Sequence, residues 1–264
     1  MTRIIADLCL NHMGSIPIAE AMVKAAAASG VDVCKFQSYH ADKLNPSWPD
    51  YEEAKANYAR LQFTAEQFAH LKSYCEGKGV EFLCTAFDVD AADMIAKLGC
   101  DTVKVASPSS GDWLLLERCL DRFKTLIVSV GMSTPQEFDS LVRFIQIGNM
   151  HERIVMMHCV SIYPLPLDKV NMQRMCQIRD MGIPYGWSDH SLTLEPAKLA
   201  IALGAHYVER HLTMHRGLPG KDQAIATTPE EFAELARWRN QIEIMMKSNS
   251  DEPHNRQYVT RWNA

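Results

Sequence analysis

The sequence lacks several patterns that would assign it to common classes of protein. Its eight cysteines include no CxxC pair, which argues against a zinc ribbon or a thioredoxin-like redox site. Cys9, Cys34, Cys84 and Cys159 lie in apolar runs, where cysteine usually packs as a small hydrophobic residue. No apolar run approaches the roughly 20 residues that a membrane span needs, and the N-terminus does not resemble a signal peptide. We therefore expect a reduced protein of the cytoplasm, not a membrane protein.

The sequence also lacks a large excess of charge of one sign. Its 27 lysine and arginine residues face 32 acidic residues, which gives a formal net charge of −5. Such a balance provides no general attraction for nucleic acid or for anionic membranes, so we expect neither as a partner. Any site for an anion must therefore be built from a few local lysines.

What the sequence does contain is a regular alternation of short β-branched runs with longer amphipathic segments. The predicted strands are residues 3–9, 32–37, 81–85, 102–106, 125–130, 154–160, 185–187 and 206–211. Three helices begin with capping-box patterns, which are Thr64-x-x-Gln67, Thr134-x-x-Glu137 and Thr228-x-x-Glu231. Eight strand–helix alternations, with no GxGxxG after the first strand, favour a closed (β/α)₈ TIM barrel of the α/β class over an open sheet.

The predicted organisation is one catalytic barrel domain over residues 1–246, followed by a polar tail over residues 247–264. The longest insertion, residues 38–63, follows the second strand and is expected to form a loop on the carboxyl rim. Loops of this length at a rim are often lids or substrate walls.

Polar side chains occur at the carboxyl end of every predicted strand. In a parallel barrel these ends form one rim, where active sites are built. The rim residues include Asp7, Lys35, Thr85, Lys104, Ser107, Ser129, Ser161, Tyr163, Ser188, His190, Glu209 and His211. A purely structural barrel would not need this convergence.

Lys35 and Lys104 each lie late in an apolar strand. If both point inward, two positive charges share one small cavity, which is unfavourable unless an anion lies between them. The pair predicts a site for phosphate and carboxylate groups, completed by the hydroxyls of Thr85, Ser107, Ser129 and Ser188. Two alternatives remain open, which are lysines that extend outward between the helices and a Schiff-base lysine with a lowered pKa.

His190 and His211 end two neighbouring strands and predict a divalent metal site, with Asp189 and Glu209 as candidates to orient them. Imidazole and oxygen ligands suit Mn²⁺, Fe²⁺, Co²⁺ or Zn²⁺. The alternative is a pair of core histidines with hydrogen bonds inside the fold. Asp222, in a Gly/Pro-rich loop after the last strand, is either a turn residue or a ligand for substrate hydroxyls or metal-bound water.

These clusters, in this order, resemble the N-acetylneuraminate (sialic acid) synthase family over residues 3–245. The segments that carry the resemblance are Asn11-His12-Met13-Gly14, Lys35-Phe36-Gln37, Cys84-Thr85-Ala86-Phe87-Asp88, Lys104-Val105-Ala106-Ser107, Val128-Ser129-Val130-Gly131-Met132, His158-Cys159 with Tyr163-Pro164, Trp187-Ser188-Asp189-His190, Glu209-Arg210-His211 and Pro219-Gly220-Lys221-Asp222. One such motif would be weak evidence, but the whole series in register is specific.

The resemblance implies a metal-dependent condensation of phosphoenolpyruvate with N-acetylmannosamine or another aldose, which gives a 2-keto-3-deoxy sugar acid and phosphate. The metal is expected to be Mn²⁺, with Mg²⁺, Co²⁺ or Zn²⁺ as alternatives, and the protein to be a homodimer. The phosphoenolpyruvate site would contain Lys35, Thr85, Lys104, Ser107, Ser129 and Ser188. The other implied roles are metal binding by His190 and His211, a sugar contact by Tyr163, a substrate-side position for Ser161, a catalytic acidic group near the metal and the sugar for Asp222, and help to the attacking water by Asp7.

Departures from the family pattern concern mainly the acceptor half of the implied site. Asp7 replaces a glutamate, Ser161 replaces an asparagine found in many members, and Lys221 interrupts a PGPD motif. The family usually continues into a small C-terminal antifreeze-like domain, before which this sequence stops. The resemblance therefore does not identify the acceptor sugar. The rival hypotheses are a Schiff-base aldolase that uses Lys35 or Lys104, and a non-catalytic barrel that binds a sugar acid or a partner protein.

Overall fold

The computed structural model describes residues 1–47 and 49–247, which form a closed barrel of parallel strands surrounded by helices. Each strand pairs with the next one along the chain, and the last pairs with the first. The strands are β1 Arg3–Asp7, β2 Val33–Ser38, β3 Glu81–Ala86, β4 Thr102–Val105, β5 Thr125–Ser129, β6 Ile154–Cys159, β7 Tyr185–Asp189 and β8 Tyr207–His211. The described helices are α1 Ile16–Ala28, α2 Tyr51–Leu61, α3 Ala65–Gly77, α4 Val89–Lys97, α5 Trp113–Arg122, α6 Pro135–Ile147, α7 Met172–Asp180, α8 Glu195–Ala202 and α9 Pro229–Lys247. The predicted (β/α)₈ barrel is confirmed.

The strand residues alternate between two apolar regions because successive side chains point to opposite faces of a strand. A small cluster inside the barrel contains Ile5, Val33, Leu83, Ile127, Val155 and Met157. The other faces of the strands pack against the helices in a larger core, to which Phe36 and Trp187 contribute. On β1, β2, β3, β5 and β6, the residues two positions further along the strand from a member of this cluster are Asp7, Lys35, Thr85, Ser129 and Cys159. The apolar floor of the barrel therefore carries a polar layer directly above it.

The capping boxes read from the sequence form as predicted. Thr64 and Gln67 exchange both hydrogen bonds at the start of α3, and Thr134 and Glu137 do the same at α6. At α9 the hydroxyl of Thr228 accepts from the Glu231 N–H, and the Glu231 carboxylate accepts from the Thr228 N–H. Each reciprocal pair satisfies backbone donors that a helix start leaves free.

The insertion at residues 38–63 is not a simple loop, as the sequence had suggested. It contains a short 3₁₀ turn at Ala41–Lys43 and the helix α2. The last turn of α2 packs on the loop after β1, where Gly14 has a φ of +73° and an added Cβ would lie 2.5 Å from the Arg60 carbonyl oxygen. Only glycine fits there. This helix is mostly polar, and a long-range contact holds its end, which explains why periodicity did not reveal it.

Every predicted strand has at least one boundary that differs from the structure by one or two residues. β7 continues to Asp189, beyond the predicted end at Trp187. Lys247, the first residue of the predicted tail, is the last residue of α9, while residues 248–264 lie outside the described residues. Among the described helices, none combines the length and apolar character that crossing a membrane requires.

Candidate active site

A cavity of about 350 Å³ opens at the carboxyl ends of the strands. Its walls contain all the residues that the sequence assigned to catalysis, substrate binding or metal binding, namely Asp7, Lys35, Thr85, Lys104, Ser107, Ser129, Ser161, Tyr163, Ser188, His190, His211 and Asp222. The barrel thus brings together side chains that are spread over more than 200 residues of sequence. It also adds residues that had not been assigned to the site, of which Gln37, Phe87, Met132 and Cys159 are examples.

At the bottom of the cavity lies a cluster of four buried charges, Asp7, Lys35, Lys104 and Glu209, called here the charged cluster. Lys35 Nζ lies 2.6 Å from Asp7 Oδ2 and 3.6 Å from Glu209 Oε2. Lys104 Nζ lies 3.2 Å from Glu209 Oε1. The two carboxylates balance the two lysines, so the protein itself supplies the negative charge that sequence reasoning had assigned to a bound anion.

Glu209 therefore has a different position from the one expected beside the histidines. It lies two residues before His211 on β8, so both side chains point inward, and this spacing was the signal available in the sequence. Its carboxylate faces the two lysines and accepts a hydrogen bond from Ser188 Oγ at 2.9 Å. The second oxygen, Oε2, has no hydrogen-bond partner among the described residues.

The charges of the cluster keep Asp7, Lys35 and Glu209 ionised. Burial alone would lower the pKa of Lys35, but the charges of Asp7 and Glu209 outweigh it and raise that pKa above its usual range. Burial likewise opposes ionisation of Asp7, yet Lys35 and His211 lower its pKa below the usual range. The pKa of Glu209 is lowered by Lys104 and Lys35 against the same cost of burial. Lys35 therefore lacks the lowered pKa that a Schiff-base lysine needs.

Hydroxyl groups from several strands surround the lysines. Thr85 Oγ1 accepts a hydrogen bond from Lys35 Nζ at 3.2 Å. Ser107 Oγ accepts from the Gly131 N–H at 3.0 Å. Ser129 Oγ is buried and has no partner within the described part of the chain. Because a buried hydroxyl is costly to leave unsatisfied, Ser129 marks a position for a hydrogen-bonding ligand.

The two histidines predicted to bind a metal meet at one side of the cavity, with ring centroids 5.2 Å apart. His190 Nδ1 lies 2.9 Å from the Val160 carbonyl oxygen, so Nδ1 donates and Nε2 remains available as a ligand. Burial, together with the charge of His211, lowers the pKa of His190 to about 3, which keeps this imidazole neutral. His211 Nδ1 is buried without a hydrogen-bond partner among the described residues.

A carboxylate and a thiol add to this donor set. Asp7, Cys9 and His211 each place one ligand atom within 4.8 Å of the others. Neutral imidazoles with a carboxylate are a donor set that divalent transition metals accept. The orphaned nitrogen of His211 and the fixed tautomer of His190 fit such an ion, although no feature of the set selects one metal.

Asp189 does not orient the metal-binding histidines, in contrast to the prediction. It lies on the outer face of β7, opposite Arg210 of β8, and pairs with that guanidinium inside the protein. Its Oδ1 accepts from the Ser191 N–H at 2.9 Å. Strand alternation explains the difference, because neighbours of inward-pointing histidines must point outward. The Val160 carbonyl orients His190 instead.

Tyr163, Ser161 and Asp222 line the outer part of the cavity. The Tyr163 ring centroid lies 4.2 Å from that of His190 and 6.0 Å from that of His211, and the residue is 51% exposed. This side of the cavity is therefore open to a larger ligand. His158 packs against Trp187 in the outer core, with Nε2 3.2 Å from the Val170 carbonyl oxygen.

Comparison with known proteins gives a consistent result. The model of the NeuB family matches residues 22–251. The chain is 30% identical over 273 residues to the N,N'-diacetyllegionaminic acid synthase of Legionella pneumophila, which covers 98% of this chain and 77% of that protein. It is 29% identical over 250 residues to the N-acetylneuraminate-9-phosphate synthase of Homo sapiens, with coverage of 89% and 68%.

Solved structures agree with the sequence matches. The crystal structure of N-acetylneuraminic acid (sialic acid) synthetase from Leptospira borgpetersenii serovar Hardjo-bovis, in complex with citrate, superposes with a TM-score of 0.88. The two sequences are 28% identical, and the superposition covers 100% of this chain and 92% of the other. The extent of these matches shows that the chain belongs to the NeuB family.

Proposed function

We propose that this protein condenses phosphoenolpyruvate with a sugar aldehyde and releases phosphate, which yields a 2-keto-3-deoxy sugar acid. The observation that carries the proposal is one cavity in which buried lysines and hydroxyls lie beside two histidines suited to a divalent metal. Relatives named as synthases of N,N'-diacetyllegionaminic acid and of N-acetylneuraminate 9-phosphate support this class of reaction.

The donor substrate binds over the charged cluster. Its phosphate and carboxylate compete with Asp7 and Glu209 for the lysine ammonium groups, so binding shifts hydrogen bonds that already exist. The hydroxyls that complete this site are those of Thr85, Ser107, Ser129 and Ser188. Lysines and hydroxyls fixed before the reaction stabilise the charge on the departing phosphate without reorganisation.

His190 and His211 hold the divalent metal, with Mn²⁺ as the first choice and Mg²⁺, Co²⁺ or Zn²⁺ as alternatives. When bound, the metal acts as a Lewis acid that polarises the aldehyde oxygen. The neutral state of His190 suits this role, because a protonated imidazole cannot ligate a cation.

The acceptor sugar lies on the open side of the cavity, against Tyr163, Ser161 and Asp222. C3 of phosphoenolpyruvate forms the new bond to the aldehyde carbon, water adds at C2, and the C2–O bond to phosphate breaks. Asp7, which is ionised, accepts a hydrogen bond from that water and orients it, while the two protons of the water pass to the former aldehyde oxygen and to the departing phosphate. Ser161 and Lys221 depart from the family pattern on this side, so the aldoses tested as acceptors must extend beyond N-acetylmannosamine.

Phosphate release from phosphoenolpyruvate tests the proposal, measured with Mn²⁺ and a panel of aldoses that includes N-acetylmannosamine. Mass spectrometry of the product should give the sum of both substrates and water, less phosphoric acid. A chelator should stop the reaction, and His211→Ala should abolish it. The matched control is His70→Ala, because His70 is a half-exposed residue of α3 remote from the cavity, and it should leave the rate unchanged.

Two other experimental outcomes would support one of the rival functions instead. Covalent trapping of pyruvate by borohydride would support the Schiff-base aldolase. No binding of phosphoenolpyruvate or Mn²⁺ in calorimetry would support the non-catalytic barrel. The expected homodimer is tested separately by light scattering of the full chain. The cytoplasmic setting stays a prediction.

A further inference from the structure

Cys159, the last residue of β6, is not the simple core residue that its apolar surroundings suggested. It lies two positions beyond Met157, which faces the barrel interior, so its side chain also points inward. Its thiol lines the active-site cavity on the side that holds Ser107 and Ser129. Cys159 therefore reaches the proposed phosphoenolpyruvate site.

The thiol contacts the hydroxyl of Ser107, with 2.9 Å between Sγ and Oγ. The same Oγ accepts a hydrogen bond from the Gly131 N–H at 3.0 Å. Ser110 Oγ donates to the Ser107 carbonyl oxygen at 2.8 Å and so holds the backbone of the serine. An added Cβ on Gly131 would lie 2.4 Å from Cys159 Sγ, so only glycine permits this close arrangement. Ser107 is therefore fixed from several directions.

We propose that Cys159 is a positioning residue for Ser107, whose hydroxyl hydrogen it directs into the cavity by donating its own thiol hydrogen to Oγ. A hydroxyl has one hydrogen to donate and two lone pairs that accept. The Gly131 N–H occupies one lone pair and the thiol the other, so the hydroxyl hydrogen is left for a ligand of the cavity. The inference rests on the proposed function, in which Ser107 binds phosphoenolpyruvate.

The thiol is suited to this task because it keeps its hydrogen. Burial raises the pKa of the Cys159 thiol, so at neutral pH the group is a donor and not a thiolate. A thiol is also a weak acceptor, so the Ser107 hydroxyl gains more by donating to an anionic oxygen than to sulfur. An apolar side chain at this position would fill the space but leave the hydroxyl free to rotate.

The test measures the affinity for phosphoenolpyruvate by calorimetry with Mn²⁺, and its KM in phosphate release, for a small set of variants. Cys159→Ala should weaken binding about fivefold, the equivalent of one hydrogen bond, with little change in kcat. Cys159→Ser keeps a donor and should stay within about twofold of the unmodified protein. The control is Cys119→Ala, which removes a buried thiol from α5, away from the cavity, and should leave affinity unchanged.

A double-mutant cycle separates positioning from packing. If Cys159 acts through the hydroxyl, adding Cys159→Ala to Ser107→Ala should cause no further loss of affinity, whereas independent effects would multiply. The proposal would be overturned if the losses of phosphoenolpyruvate affinity in the two single variants multiply in the double variant. It would also be overturned if Cys159→Ala binds phosphoenolpyruvate as tightly as Cys119→Ala does. Should Cys159→Ala fail to fold, a fivefold loss in the near-isosteric Cys159→Ser variant would also overturn it. If phosphoenolpyruvate binds and the cycle shows the expected coupling of Cys159 to Ser107, but no aldose is turned over, only the proposed reaction is refuted. If phosphoenolpyruvate does not bind, the proposed reaction and the role of Cys159 are both refuted.

Discussion

Asp189→Asn is expected to destabilise the protein strongly, because it breaks a fully buried ion pair. The side chains of Asp189 and Arg210 are 0% and 1% exposed. The guanidinium also donates to Thr227 Oγ1 at 2.6 Å, to the Thr193 carbonyl oxygen at 2.9 Å and to the Ser191 carbonyl oxygen at 2.7 Å. Arg210 thus ties the loop after β7 to the segment that precedes α9.

The magnitude follows from what asparagine keeps and loses. The amide oxygen can still accept the Ser191 N–H, so the local turn remains satisfied. The guanidinium, however, loses its only ion-pair partner among the described residues. The amide NH₂ of asparagine would also face the N–H groups of the guanidinium, so that hydrogen-bond donors oppose each other. Breaking one side of a buried pair typically costs about 3–5 kcal/mol. A domain has about 5–15 kcal/mol of stability, so the variant should fold with little reserve.

Urea unfolding at neutral pH measures this loss, with Asp101→Asn as the matched control. Asp101 pairs with Lys124 at 3.0 Å, but these side chains are 68% and 77% exposed. Such surface pairs contribute about 0–1 kcal/mol. If Asp189→Asn costs no more than Asp101→Asn, the pair is not a structural anchor, and the reasoning from its burial is refuted.

Two further predictions concern pH and the donor site. Burial lowers the pKa of His12 from 6.5 to about 4, so this residue contributes stability above pH 6.5 that is lost as the pH falls towards 4. Between pH 7 and 4.5, the free energy of unfolding measured in urea should fall by about 2–3 kcal/mol less in His12→Gln than in the unmodified protein. An equal fall in both proteins would contradict this. Lys104→Ala should raise the KM for phosphoenolpyruvate at least about tenfold, since a charge-assisted hydrogen bond contributes about 1.5–3 kcal/mol. Mn²⁺ binding should persist in calorimetry, and its loss would show that Lys104 acts on the metal side instead.

The sequence by itself determined the features that depend on neighbouring residues. The alternation of short apolar runs and amphipathic segments predicted the barrel, and the capping boxes at Thr64 and Thr134 located helix starts. The rim position of the polar clusters followed from parallel topology, because carboxyl ends of such strands share one edge. The two-residue period also indicated that Lys35 and Asp7 point inward once the inner face of their strands is known.

Only the tertiary structure decided which rim residues meet. Lys104 of β4 and Glu209 of β8 are four strands apart around the barrel, yet their charges lie 3.2 Å apart across its interior. Cys159 reaches Ser107 in the same way, from a strand end to the turn after β4. Strand alternation sets the face of the strand on which a side chain lies. The position of that side chain along the barrel axis, and the residue it meets across the interior, depend on how the strands tilt and stagger as the barrel closes. That closure is a property of all eight strands together, so no local segment of sequence contains it.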